Sequence, residues 1–78
     1  MPNGEALTYG ERAVGISFNP SGSDSVDDVK QWFADIIDML NEQRKLAVDG
    51  EHARLFSIAI TEAQTAQMWA VKALTWRA

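Results

Sequence analysis

The clearest repeat in the chain runs from Val26 to Leu40. Val26, Val29, Phe33, Ile36, Ile37 and Leu40 return at intervals of three and four, apart from the neighbours Ile36 and Ile37, so they share one stripe of an α-helix. This spacing predicts a helix over 25–44. Ser23, Asp24 or Ser25 can cap its start, and Asp27 and Asp28 place negative charge in the first turn, where the helix dipole favours it. Arg44 and Lys45 mark the other end. Trp32 and Met39 widen the stripe beyond what one partner helix covers.

A second helix is predicted over 51–77, after a short connection at Lys45–Gly50 with an Asp49-Gly50 turn signal. So short a link makes the two helices antiparallel neighbours. From Leu55 to Trp76 only Glu62 and Lys72 are charged. Leu55, Ile58, Ala59, Ala66, Trp69, Ala73 and Trp76 fall on one broad face, and Phe56, Ile60, Ala63, Ala70 and Leu74 on an adjacent one. A helix apolar over most of its circumference must be buried on most sides. What remains is a narrow stripe of Ser57, Thr61, Gln64, Thr65, Met68, Lys72 and Thr75. Such hydroxyls and amides suit a wet pocket lining. They equally suit hydroxyls bonded back to helix carbonyls beneath another subunit.

Residues 1–22 hold four of the five glycines and both prolines. The run Ala13-Val14-Gly15-Ile16-Ser17-Phe18 alternates, and Val14, Ile16 and Phe18 would share one face of a strand. Asn19-Pro20-Ser21-Gly22 is turn chemistry. The expected architecture is all-α: an antiparallel two-helix hairpin over 23–78, preceded by a short extended arm and turn over 1–22.

Composition adds a constraint. The chain has 78 residues, no cysteine and one histidine, so it lacks disulfides and thiolate metal sites. A core this small rarely supplies more than roughly 3–5 kcal/mol without a staple. Self-association is the staple that remains, and the 46% hydrophobic content fits it. A net charge of −4 argues against polymeric nucleic acid as partner. The polar stretch Met1–Gly10 does not read as a signal peptide, and Leu55–Trp76 is too polar to span a bilayer.

No catalytic constellation is present. His52 reads as an exposed first-turn residue, and no serine sits in a Gly-x-Ser-x-Gly elbow. The aspartates do not group as metal ligands: Asp27 and Asp28 diverge around the helix, and Asp35 and Asp38 read as its outer face. No catalytic residue, metal or cofactor is therefore expected. Recognition of an anionic, nucleotide-like ligand is what the residues offer, since it needs cations, flat plates and hydrogen-bonding edges. Lys30, Arg54 and Lys72 are the cations. Tyr9, Phe18, Trp32 and Trp69 are the plates. Asn19, Ser21 and the amides of Gly22 and Ser23 can form an anion-accepting turn; Thr61 and Met68 belong to the polar stripe. Each has a plainer reading: Trp69 as core or interface, Lys30 as a solvated helix residue, Arg12, Arg44 and Lys45 as surface charges.

Three segments together carry a resemblance: Ala13-Val14-Gly15-Ile16-Ser17-Phe18-Asn19-Pro20-Ser21-Gly22, Val26-Asp27-Asp28-Val29-Lys30, and Ala66-Gln67-Met68-Trp69-Ala70-Val71-Lys72-Ala73. From about residue 8 to 76 the chain resembles the phage helical-hairpin family that unites Thoeris anti-defence and anti-CBASS proteins. The resemblance implies a hexamer of hairpins acting as a sponge, in the host bacterial cytoplasm, for cyclic nucleotide immune signals that it binds without cleaving. These signals are cyclic ADP-ribose isomers made by TIR-domain enzymes and cyclic di- or trinucleotides made by cGAS-like enzymes. By the same resemblance, Lys30 matches a first-helix lysine that helps hold a cyclic dinucleotide, and Tyr9 matches a base-stacking tyrosine. Trp32 stands where the anti-CBASS branch has a threonine. Lys72 stands where that branch has an arginine on trinucleotide phosphates, keeping the charge but losing the bidentate fork. The Phe-Asn-Pro-Ser-Gly loop leans toward the Thoeris branch. The rival reading is a structural or protein–protein interaction adaptor built from hairpin oligomers.

Overall fold

A computed structural model describes residues 6–77 as three helices: α1 (Tyr9–Val14), α2 (Asp24–Arg44) and α3 (Gly50–Leu74). Residues 1–5 of the expected arm, and Ala78, lie outside the described residues. The hairpin forms as its periodicity predicts. Arg44 Nη1 donates to Ser57 Oγ at one end (3.0 Å), while Val26 and Lys30 share a groove with Val71 and Thr75 at the other, so α2 and α3 run antiparallel.

The extended arm is corrected. Tyr9–Val14 is a helix, and no strand occurs among the described residues. Its ends explain why. Thr8 Oγ1 accepts the Glu11 amide at 3.0 Å and Glu11 Oε1 accepts the Thr8 amide at 2.9 Å, a reciprocal capping box. At the other end Gly15 turns left-handed (φ +62°), and its amide and that of Ile16 close on Arg12 O and Glu11 O, the usual glycine-terminated helix end. Val14 and Ile16 pack against the core while Phe18 stays exposed, so the alternation does not mark one strand face.

α1 packs on α2 through a backbone contact. A Cβ on Gly10 would stand 2.1 Å from Ala34 O, and the Gly10 amide donates to Asp38 Oδ1 at 2.7 Å. Asp38 therefore faces α1 and is not on the outer face. This approach rotates the buried line of α2. Val26, Lys30, Ala34 and Ile37 are buried, whereas Ile36 turns outward with Trp32 and Met39. The core is Val14, Ala34, Ile37 and Ile60, flanked by Ala13, Ile16, Phe33, Leu40 and Ala63.

Asp49 starts α3 as its cap, accepting the His52 amide at 2.8 Å. His52 is half-buried, since its Nδ1 accepts the Val48 amide (3.1 Å) and its ring lies 5.0 Å from Phe56. The ring braces the connection and is not a free first-turn group. α3 stops at Leu74, short of 77, where Thr75 caps it and returns its hydroxyl to Val71 O at 2.8 Å.

The body is thin, 12 Å along its shortest axis against 45 Å along its longest, so little of it is interior. The adjacent face of α3, with Ile60 and Ala63, meets the core. Its broad face does not. Leu55, Ile58, Trp69 and Trp76 are exposed, Trp69 at 64% of its surface.

Candidate functional site

The loop between α1 and α2 is held by a network of side-chain hydrogen bonds. Asn19 organises it. Its Nδ2 donates to Ser23 O and to Asp27 Oδ1, both at 2.9 Å, and its Oδ1 accepts Ser21 Oγ (2.7 Å) and the Gly22 amide (3.2 Å). The Asn19 carbonyl also accepts the Gly22 amide at 3.1 Å, which closes the turn. Gly22 sits at φ +68°, a conformation open to glycine at no steric cost. Ser23 caps α2 by position, but its side chain makes no cap bond.

Beneath this loop lies Lys30, 4% exposed. Its Nζ donates to Gly15 O at 2.9 Å and to Phe18 O, and it sits 5.5 Å from the centre of the Phe18 ring. Neither ion pair among the described residues involves it; these are Lys45–Glu42 and Arg54–Glu51. Backbone carbonyls and the ring face thus carry the solvation of this ammonium. Lys30 is not a solvated helix residue, because it falls on the line of Val26, Ala34 and Ile37.

Loop and hairpin enclose a groove of about 190 Å³. Phe18, Asn19, Pro20 and Ser21 form its loop wall, Val26 and Lys30 its floor on α2, and Val71 and Thr75 the edge on α3. The lining combines apolar plates with a few polar edges, the usual make-up of a small-molecule site. At 190 Å³ it is smaller than the roughly 300–1,000 Å³ of complete ligand pockets.

The expected site residues separate into four places. Phe18, Asn19, Ser21 and Lys30 come together in the groove. Met68, Trp69 and Lys72 form, with Thr65, a hollow of about 350 Å³ on α3, where Lys72 Nζ lies 5.5 Å from the Trp69 ring. Arg54 and Thr61 line a shallow surface nearer the start of α3. The Glu51 carboxylate holds the Arg54 guanidinium by two bonds of 2.9 Å, which raises the guanidinium pKa and lowers that of the carboxyl. Tyr9 is apart from all three, with its ring 5.6 Å from the Arg44 guanidinium. Arg44 and Lys30 are fourteen residues apart on α2, about 21 Å at 1.5 Å per residue. Within one chain, then, the expected tyrosine plate and lysine do not meet.

A family model described as the Acb2/Tad1 hairpin domain matches residues 11–75. The chain belongs to the Acb2/Tad1 family. No curated protein and no solved structure matches it. The Acb2/Tad1 match takes in the whole groove and the Met68–Lys72 hollow but leaves out Tyr9 and Trp76, so the tyrosine correspondence lies outside it.

Sequence reasoning missed several members of these places. Pro20, Val26, Val71 and Thr75 complete the groove. Thr75 was legible as part of the polar stripe, and Pro20 as part of the turn. Val71 carried no signal, as an isolated aliphatic in an apolar helix. Arg44 was read as a surface charge but joins Ser57, Asn41 and Tyr9. Of the stripe itself, Thr65 and Thr75 bond back to Thr61 O and Val71 O, and Gln64 reaches Ala13 O. Of the two readings of the stripe, the return of hydroxyls to carbonyls is seen at Thr65 and Thr75, and a hollow lies beside Lys72.

Proposed function

We propose that this Acb2/Tad1 hairpin is a phage anti-defence sponge, which binds cyclic nucleotide immune signals in the host bacterial cytoplasm and sequesters them without cleavage. Family membership supports a binding role rather than catalysis. The observation that carries the reading is the half-built groove. Phe18 and Pro20 supply flat apolar surface, Asn19 and Ser21 supply hydrogen-bonding edges, and the volume is too small for a whole cyclic dinucleotide. A second hairpin closing over the groove would complete it. The uncovered apolar faces of α2 and α3 support self-association, because patches of this kind mark interaction surfaces.

In this reading the ligand sits at subunit interfaces of a homo-oligomer, taken as a hexamer. Phe18, Asn19, Ser21 and Lys30 form one wall, with Tyr9 supplied by another copy. Met68, Trp69 and Lys72 offer a second, separate surface, and Arg54 and Thr61 a third nearer the start of α3. Cyclic ADP-ribose isomers are the first candidates and cyclic di- or trinucleotides the second.

Isothermal titration of the assembled protein against both classes tests the proposal, and intact ligand should be recovered after heat denaturation. Native mass spectrometry gives the subunit number. If none of these signals binds, the sponge reading fails and the adaptor reading, in which the hairpin faces serve protein contacts alone, takes its place.

A further inference from the structure

We infer that Lys30 is a positioning residue for the loop and not a cationic grip on the ligand. Three observations place it in this role. The ammonium is buried. Two of its three N–H bonds already go to backbone carbonyls, those of Gly15 and Phe18. The ring it braces, Phe18, is also the groove's aromatic plate. Withdrawing the ammonium to meet an anion would break two part-buried hydrogen bonds, leaving Gly15 O with the Phe18 amide alone and removing the Lys30 bond from Phe18 O, a loss that a new ion pair must first offset.

The surrounding geometry fits a staple. Gly15 and Gly22, both left-handed, bracket the loop, and a Cβ built on either would meet nothing within 4 Å. Two α2 residues about one turn apart hold it between these glycines. Asp27 accepts the Asn19 amide, and Lys30 donates to the carbonyls of Gly15 and Phe18. The acidic partner fixes the turn and the basic partner fixes the plate. Ligand binding then benefits from a loop whose ordering entropy is spent on folding.

Two measurements decide the matter on the protein alone. In lysine-labelled protein, NMR should show hydrogen-bond couplings from Lys30 Nζ to the Gly15 and Phe18 carbonyl carbons. Absence of both couplings overturns the inference. In Lys30→Met, amide exchange within residues 16–22 should quicken by about tenfold or more, with α3 unchanged. Exchange at the wild-type rate also overturns it, and if the variant unfolds throughout, the couplings decide.

A third measurement rests on the sponge reading. With whichever cyclic ADP-ribose isomer or cyclic dinucleotide the wild type binds, the Nζ couplings should persist at saturation. Lys30→Met should weaken binding about tenfold or more while its salt dependence stays as steep as in the wild type. Couplings lost on saturation, or a flattened salt dependence, would mean that the ammonium grips the ligand. If the wild type binds no probe at all, the sponge reading fails, while the exchange and free-protein couplings still decide the role of Lys30.

Discussion

Between Gly15 and Gly22 the chain bonds to itself: Asn19 alone makes or accepts four side-chain hydrogen bonds, and Lys30 ties two carbonyls from below. Along the broad face of α3 the opposite holds. Leu55, Ile58 and Trp69 stand exposed. The loop is a surface segment finished by its own chain, and the helix face is an interior segment left open. The contrast indicates where each gets its order. The loop depends on directional bonds, which a single substitution can undo locally. The α3 face offers apolar area, which in the sponge reading is covered from outside the hairpin.

The largest effect should come from charging the open face. Leu55→Glu with Trp69→Glu puts two carboxylates where apolar contact is expected. Burying side chains of this size is worth about 1.5–3 kcal/mol each, so association should weaken by about a hundredfold or more. Light scattering should then report the mass of one 8.6 kDa chain, while helicity and loop protection hold. If the assembly survives, the α3 face is not its interface.

A smaller effect should separate the ends of the hairpin. Gly10→Ala forces a Cβ to within 2.1 Å of Ala34 O, a backbone atom with little room to yield. Overpacking of this sort costs about 1–3 kcal/mol, read as a lower denaturation midpoint. Exchange should rise first in α1. Gly50→Ala serves as its counterpart. Nothing lies within 4 Å of its new Cβ and its φ is not left-handed, so it should be neutral or stabilise by about 0.4–1 kcal/mol.

These two glycines also show what was legible in the sequence. The hairpin was, because helices of 21 and 25 residues repeat their apolar spacing several times. α1 was not, because six residues hold less than two turns and periodicity has nothing to average over. Its real signal was local chemistry: Thr8 three residues before Glu11, and Gly15 after the last turn. The Val14-Ile16-Phe18 alternation hid it. The Asn19-Pro20-Ser21-Gly22 turn is legible as a turn, but its bond to Asp27 needs coordinates. In the sequence, charge marks Lys30 as a site residue. Its burial was encoded in its spacing, four residues after Val26 and four before Ala34. A stripe drawn only through large apolar side chains passes over a lysine and an alanine. Gln67, buried on α3 and with no side-chain partner among the described residues, escaped for the same reason.

The smallest effect belongs to the exposed start of α3. Glu51 lies in the first turn, where the helix dipole favours a carboxylate. The Arg54 hydrogen bond holds its carboxyl below the usual 4.5, against a minor opposing effect of burial. A carboxyl whose pKa is lower folded than unfolded stabilises the fold above the unfolded value. That contribution fades as pH falls through 4.5 toward the lowered folded value. Glu51→Gln should therefore lower Tm slightly at pH 7, by about one or two degrees at most for so exposed a pair. The gap to the wild type should narrow steadily from pH 5 downward. A gap that widened with acid would mean that the Arg54 pairing does not set this titration. A gap as large as that of Gly10→Ala would mean that the start of α3 is covered by another chain, because full solvent screening could not allow it.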